Sequence, residues 1–319
     1  MPTFTRSYQL AKGLKIPAVG LGTWKSKPGE VRNAVRVAIE AGYRHIDCAW
    51  AYRNEHEVGQ GIKDSGIKRD DLFITSKLWN SFHKPEKVQS ALEETLGNLD
   101  VGYLDLYLMH WPVAFDGQTS DGKNRIDWDL TNDVTPTWAA MEKLVDGGMV
   151  KNIGISNFTV LKTKKLLEKA KIKPAVNQIE LNLHCAQLEL VRHMVLTATA
   201  PPQWMQAHNI VVEAYSPLGS TGAPQLDDPV VKEIASAHGA TPAQVLISWQ
   251  TARGVVCLPK SVTPERIKSN FEEVELTTDE VTRLEQRAAE FGTRRTVDPS
   301  KDWGVPDLWK DEDGIAAKL

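Results

Sequence analysis

Residues 19–47 read VGLGTWKSKPGEVRNAVRVAIEAGYRHID. Val19–Gly22 is a short apolar strand. Gly29–Ala41 follows as a helix, with Val31, Val35, Ala38 and Ile39 near i, i+4, i+7 and i+8, one apolar stripe. Tyr43–Asp47 is then a second strand. A strand, a helix and a strand in this order predict two parallel strands joined by a right-handed crossover. The same rhythm runs through the chain. A helix near Glu55–Ser65 precedes the strand Leu72–Lys77, and Pro85–Leu99 carries its proline near the start of a helix. Tyr103–His110 is followed by Thr137–Val145, Val150–Ser156 by Val160–Ala170, and Ala175–Gln178 by Gln187–Met194. Ile210–Ala214 leads to Val230–His238, and Val255–Leu258 to Pro264–Asn270. Eight such cycles predict a (β/α)8 TIM barrel in preference to an open doubly wound sheet.

The glycines agree with that choice. Gly20-Leu21-Gly22 follows a strand, but Lys25 stands where a dinucleotide loop needs its third glycine, and Gly59-Gln60-Gly61 fails likewise at Asp64. No linker divides the chain, so residues 1–319 are expected to be one domain. Phe4–Pro17, with a Lys12-Gly13 turn, is expected to form an N-terminal β-hairpin that plugs the barrel floor. Ala114–Pro136 reads as a long polar loop roofing a site. Val195–Trp204 (VLTATAPPQW) interrupts the rhythm, either as an insertion on the lid side or as an unspliced intron in the gene. After a helix over Glu280–Glu290, the tail Gly292–Leu319 reads as a C-terminal loop over the active site.

Composition narrows the partners. With 38 Lys+Arg against 41 Asp+Glu, the net charge of −3 gives no support to nucleic acid or an anionic membrane as a partner. No run approaches the length of a membrane span, and Met1–Arg6 has no apolar core of a secretory signal. Cys48, Cys185 and Cys257 cannot all pair and form no CxxC spacing, so neither a disulfide framework nor a structural metal is expected. A cytoplasmic monomer is the expectation, although Ala317-Lys318-Leu319 is a near match to the Ser-Lys-Leu peroxisomal address.

Barrel chemistry sits at the carboxyl ends of the strands. From the second strand to the eighth those ends are polar: Asp47, Lys77, His110, Ser156-Asn157, Gln178, Tyr215-Ser216 and Lys260-Ser261. Tyr52 lies on the loop beyond Asp47. A tyrosine has a pKa of ~10, and an ammonium nearby pulls it down by ~1–3 units, which suits a proton donor. Asp47 is expected to hold Lys77 charged, and a neutral His110 to orient a carbonyl. Taken singly, a buried tyrosine is ordinary core and an Asp–Lys pair an ordinary ion pair; the set is what points to an enzyme. Trp24, Trp50, Trp79 and Trp111 stand at or just beyond strand ends, and Trp303 in the tail, either as an aromatic substrate cleft or as rim packing.

These residues resemble the signatures of a known family. Gly42–Ala49 (GYRHIDCA) with Tyr52, Glu55 and Val58-Gly59, then Lys151–Phe158 (KNIGISNF), then Leu258–Ser261 (LPKS) with Arg266 and Asn270, are similar to the three motifs of the aldo-keto reductases, in the aldose and aldehyde reductase branch. The resemblance spans about Leu10 to Phe291. It implies a catalytic set of Asp47, Tyr52, Lys77 and His110, with Tyr52 as general acid, and NADPH-dependent reduction of aldehydes and ketones. It further implies that Ser156, Asn157 and Gln178 meet the nicotinamide carboxamide, that Tyr215 stacks on its ring, and that Ser216, Leu218 and Ser220 line the pyrophosphate. Lys260, Ser261 and Arg266 would meet the 2′-phosphate, with Thr23, Trp24 and Asn270 completing the NADPH/NADP+ site. Two cations and a hydroxyl do suit a nearly dianionic phosphate.

Some residues depart from the family pattern. Asn182-Leu183 replaces the usual His-Pro, and Ser269 stands where many relatives carry a glutamate. His110-Trp111-Pro112 differs from the His-Phe-Pro of xylose reductases, which favours small, glyceraldehyde-like or aromatic aldehydes as substrates. The alternative reading is a nucleotide-binding redox-sensor subunit built on the same barrel. The branch that reduces steroid double bonds replaces the histidine that is present here as His110.

Overall fold

Short β-rich runs alternate with helices, some of them started by a side-chain cap such as Thr159, Asp228 or Thr277, and the chain closes accordingly. The computed structural model describes residues 1–10, 13–188, 190–191, 210–220 and 222–310. The hairpin is β1 (Ser7–Gln9) against β2 (Lys15–Pro17), antiparallel. The barrel strands are β3 (Leu21–Gly22), β4 (His45–Asp47), β5 (Phe73–Leu78) and β6 (Leu104–Met109). After a second hairpin, β7 (Ala114–Gln118) with β8 (Asn124–Asp127), the barrel continues in β9 (Val150–Ser156), β10 (Val176–Glu180), β11 (Val211–Tyr215) and β12 (Val256–Leu258).

The eight barrel strands pair in parallel in the order β12-β11-β10-β9-β6-β5-β4-β3. The ring shuts where Val19 bridges Cys257: Gly20 N donates to Cys257 O at 2.9 Å, and Cys257 N to Ala18 O at 2.8 Å. Gly20 is required at this seam, because a Cβ there would lie 2.7 Å from the His45 ring.

All residues of β5 and β6 are buried, as strands covered on both faces must be. The helices lie outside: Val31–Glu40, for example, buries Val31, Ala34, Val35, Val37, Ala38 and Ile39 against the sheet. The hairpin does plug the floor. Leu10 and Ile16 are buried against Phe73, Leu106, Leu108, Val176 and Val256 at the amino-terminal end of the barrel. Tyr8 pins it from outside, its hydroxyl donating to Thr251 O at 2.7 Å.

Three segments differ from expectation. Ala114–Pro136 is not a plain loop: it holds the β7–β8 hairpin and a short helix, Trp128–Asn132, whose N-cap Asp127 accepts from Leu130 N. Its interior face, Phe115 with Ile126, packs with Trp111 and Val113, so a polar-looking stretch carries a small apolar stripe. A helix over Pro242–Ala252 escapes the periodic reading because eight consecutive residues, Gln244–Thr251, are buried and no polar face marks the period. Its signal is the capping box of Thr241 and Gln244. The tail contains a further short helix, Ser300–Trp303. Leu188, Leu190 and Val191 begin the expected helix over Gln187–Met194, but Val195–Trp204, Lys12 and Ala317–Leu319 lie outside the described residues.

Candidate active site

The polar strand ends converge on one cavity of about 850 Å³ at the carboxyl end of the barrel. Its lining includes Asp47, Tyr52 and His110, with Lys77 buried beneath. Parallel pairing accounts for that convergence, since it sets every carboxyl end on the same side. Lys77 Nζ is 2.8 Å from both Asp47 carboxylate oxygens, donates to Cys48 O at 2.7 Å, and donates to the Tyr52 hydroxyl at 3.3 Å. The ammonium thus has its ion pair and its carbonyl, and its remaining proton faces the phenol. The Tyr52 and His110 rings meet edge to face at 5.9 Å.

The charges of the four groups follow from burial and pairing. Burial alone would depress Lys77, but the Asp47 carboxylate and the bonds to Asp47 and Tyr52 outweigh it and hold the ammonium charged. Burial, with the Lys77 charge beside it, drives His110 well below its ordinary value, so the imidazole is neutral as expected. Its Nδ1 is buried without a partner. Tyr52 corrects the expectation. Burial pushes the phenol up to about 12; Lys77 lowers it, yet not enough to cancel burial and the Asp47 charge. The ammonium's effect on Tyr52 is smaller than that of desolvation.

Beside this group the walls change character. Ser156 Oγ donates to Gln178 O at 2.8 Å, Asn157 Nδ2 donates to His110 O at 2.9 Å, and Tyr215 donates its hydroxyl to Asn157 Oδ1 at 2.8 Å. Thr23 Oγ1 donates to Asp47 O at 2.8 Å. Ser216, Leu218, Ser220 and Lys260 line the same cavity, and Lys260 Nζ donates to Lys25 O at 3.1 Å. Among the described residues eight non-glycine positions have positive φ, and five of them, Lys25, Arg53, Asn157, Ser216 and Ser220, line the cavity, the others being Asp100, Gln187 and Ala223. Unfavourable backbone angles are thus gathered at the mouth, as they are where a site dictates the chain's path.

Of the sequence-derived candidates, Trp24, Trp50, Trp79, Trp111 and Trp303 all line the cavity. Trp303 meets Trp111 at 5.1 Å, Phe115 at 5.2 Å and Trp79 at 6.1 Å, each edge to face, so the same indoles form both the cleft and the rim packing. Ser261, Arg266 and Asn270 are not part of the lining; Ser261 Oγ accepts from Thr263 N, and Asn270 is buried at a helix end. The sequence reading missed Lys25, Arg53, Val297 and Pro299, which do line the cavity. The Arg53 guanidinium lies 3.5 Å over the Trp50 ring, and Lys25 Nζ 4.2 Å over that of Trp24. Val297 reaches the mouth because the buried Glu180 carboxylate accepts from the backbone N–H groups of Thr296 and Val297. No local pattern marks such a clamp, since its halves lie on β10 and in the tail.

An aromatic wall, amides, hydroxyls and the cations Lys25 and Lys260 form a donor set that fits an aromatic carboxamide joined to phosphates. Among the described residues no cluster of metal-ligating side chains is present, and no helix is long and apolar enough to cross a membrane.

The Aldo/keto reductase family model matches residues 18–289. The chain is 48% identical to aldo-keto reductase family 1 member A1-A of Danio rerio over 284 residues, 84% of each chain. It is 42% identical to glycerol 2-dehydrogenase (NADP(+)) of Hypocrea jecorina over 329 aligned positions, covering 97% of this chain and 99% of the other. Its fold is similar to that of the aldose reductase from Schistosoma japonicum, with TM-score 0.83 and 41% identity over 94% of this chain and 97% of that one.

Proposed function

The chain belongs to the aldo/keto reductase family, and from that premise we propose that it reduces aldehydes and ketones to alcohols with NADPH, Tyr52 being the proton donor. It is an NADP-dependent oxidoreductase, and its substrates are small carbonyl compounds. The redox-sensor alternative is not favoured. One observation carries the assignment of roles: Lys77 Nζ sits between the Asp47 carboxylate, at 2.8 Å, and the Tyr52 hydroxyl, at 3.3 Å.

In this reading the reduced nicotinamide supplies the hydride. Ser156, Asn157, Gln178 and the Tyr215 ring hold its carboxamide end, Thr23, Trp24, Ser216, Leu218 and Ser220 the linkage, and Lys260 the 2′-phosphate. Arg266 and Ser261 join only if the 2′-phosphate extends beyond the cavity toward them. His110, neutral, donates a hydrogen bond to the substrate carbonyl and orients it. Tyr52, a full phenol at neutral pH, gives its proton to the carbonyl oxygen. The Lys77 ammonium stabilises the phenolate left behind, in a site shielded from water where that charge counts for more.

The substrates are read as small aldehydes, glyceraldehyde-like or aromatic, since the indoles of Trp24, Trp50, Trp79, Trp111 and Trp303 all line the cavity. The protein is read as a monomer. Residues 1–319 are read as one domain, and the cytoplasm as its place. NADPH consumption measured across aldehydes, ketones and sugars, and in reverse with polyols, tests the proposal; no turnover of any of them would sink it.

A further inference from the structure

Glu213 has no part in the chemistry above, yet it lies fully buried in the middle of β11, inside the barrel and below the cavity. A carboxyl group in such a place needs partners. Its Oε2 accepts from Gln178 Nε2 at 2.9 Å, and the same Nε2 donates to Asp47 Oδ1, also at 2.9 Å. One amide nitrogen therefore stands between two carboxyl groups on opposite sides of the barrel. Both protons of that nitrogen are committed, and turning the amide over would set its oxygen against the Asp47 carboxylate. The amide oxygen is what Gln178 has left to offer the cavity it lines.

We propose that Glu213 is a positioning residue: with Asp47 it grips the Gln178 amide nitrogen and so fixes the amide oxygen toward the cofactor side of the cavity. The proposal rests on the reading that this cavity holds a nicotinamide. A carboxamide NH2 of the cofactor then meets an acceptor of set orientation, and the grip also links that acceptor to the carboxylate that holds Lys77.

Charge balance states the form in which Glu213 works. From β4 it faces Asp47 and His45, whose Nε2 is 3.7 Å from Glu213 Oε1; from β5, Lys77 and Thr75; from β10, Gln178; from β12, Val256 pairs beside it without charge. Lys77 is the cation of this group and is matched by Asp47. Burial lowers His45 to about 3, so it brings no positive charge. A second carboxylate would be unbalanced, and burial together with the Asp47 charge pushes Glu213 up to about 8. Below that pH Glu213 is a neutral acid whose carbonyl oxygen accepts from Gln178. Above it, a second negative charge stands across the Gln178 amide from Asp47 and competes for the Lys77 ammonium, so less of that charge is left to stabilise a phenolate at Tyr52.

Two variants test this. In Glu213→Gln the side-chain oxygen still accepts from Gln178 and cannot ionise; in Glu213→Leu size is kept and the acceptor is lost. At pH 7 the Gln variant should keep NADPH Kd, read by fluorescence, and kcat within about threefold of wild type, and lose the wild-type inflexion in turnover near pH 8. The Leu variant, checked as folded by circular dichroism, should lose about tenfold in both Kd and kcat, the weight of one hydrogen bond to an ordered amide. A folded Leu variant equal to wild type overturns the proposal. So does a Gln variant that keeps the inflexion, or one as impaired as Leu at pH 7. Failure of the wild type to oxidise NADPH with any carbonyl compound would overturn the activity reading instead, whereas normal wild-type turnover beside an unaffected Leu variant removes Glu213 alone.

Discussion

The two ends of the barrel are made from the same eight strands and share almost no chemistry. At the amino-terminal end, Leu10 and Ile16 of the hairpin press onto Phe73, Leu106, Leu108, Val176 and Val256, an apolar floor. At the carboxyl end, the same strands deliver Asp47, Lys77, Ser156, Gln178 and Tyr215 around a cavity, with positive-φ residues gathered at its rim. One end contributes stability by excluding water from hydrocarbon. The other holds a buried ion pair, which contributes little net stability, and strained turns that cost some. The comparison teaches that this fold separates the work of staying folded from the work of catalysis along a single axis.

That separation can be broken by mutation, and the largest effect should be at the mouth. Tyr52→Phe removes the acid and leaves the ring, so kcat should fall by about 10²–10⁴-fold while Tm is unchanged. Steady-state kinetics beside a thermal melt decides it, and a Tm loss as large as the activity loss would blur the two ends. At the floor, Ile16→Ala opens a cavity under the barrel and should cost about 2–5 kcal/mol in denaturant unfolding, with kcat preserved.

Smaller effects sharpen the boundary. The carboxyl of Glu213 has its pKa raised from 4.5 to about 8 on folding, so the native state holds the proton more tightly than the unfolded chain. Its contribution is therefore fully present below pH 4.5 and is lost as pH rises toward 8. Wild-type Tm should decline over that window and Glu213→Gln should flatten the decline; parallel curves would refute it. Lys260→Met should weaken NADPH by about tenfold and NADH hardly at all, since only the former carries the extra phosphate. Equal losses would move the 2′-phosphate away from Lys260, toward Arg266. Smallest of all, Thr241→Ala removes the cap of Pro242–Ala252 and should cost about 1 kcal/mol in stability without touching turnover.

How much of this was written in the chain differs from element to element. The parallel strands were legible because each is a short apolar run ended by a polar residue, and the outer helices because one face of each is wet. Pro242–Ala252 was hidden because it is buried all round, and the β7–β8 hairpin because its apolar stripe is only Phe115 and Ile126 among polar neighbours. Asp47, Tyr52, Lys77 and His110 were legible from their places at strand ends and on the loop beyond. Ser261, Arg266 and Asn270 were carried over from a motif and stand off the cavity wall. Glu213 left a signal in VVEAY, a charge in the middle of a barrel strand, but its meaning depends on what faces it.

By itself the sequence determined the period, the direction and the number of the barrel strands, because hydrophobic spacing and turn chemistry act between neighbours in the chain. Only the tertiary structure decided that Tyr52 stays above its ordinary pKa, that Glu180 ties down the tail, and that Gln178 hangs between Asp47 and Glu213. These depend on burial and on distances of a few ångströms between groups far apart in the chain, and electrostatic energies change steeply over such distances.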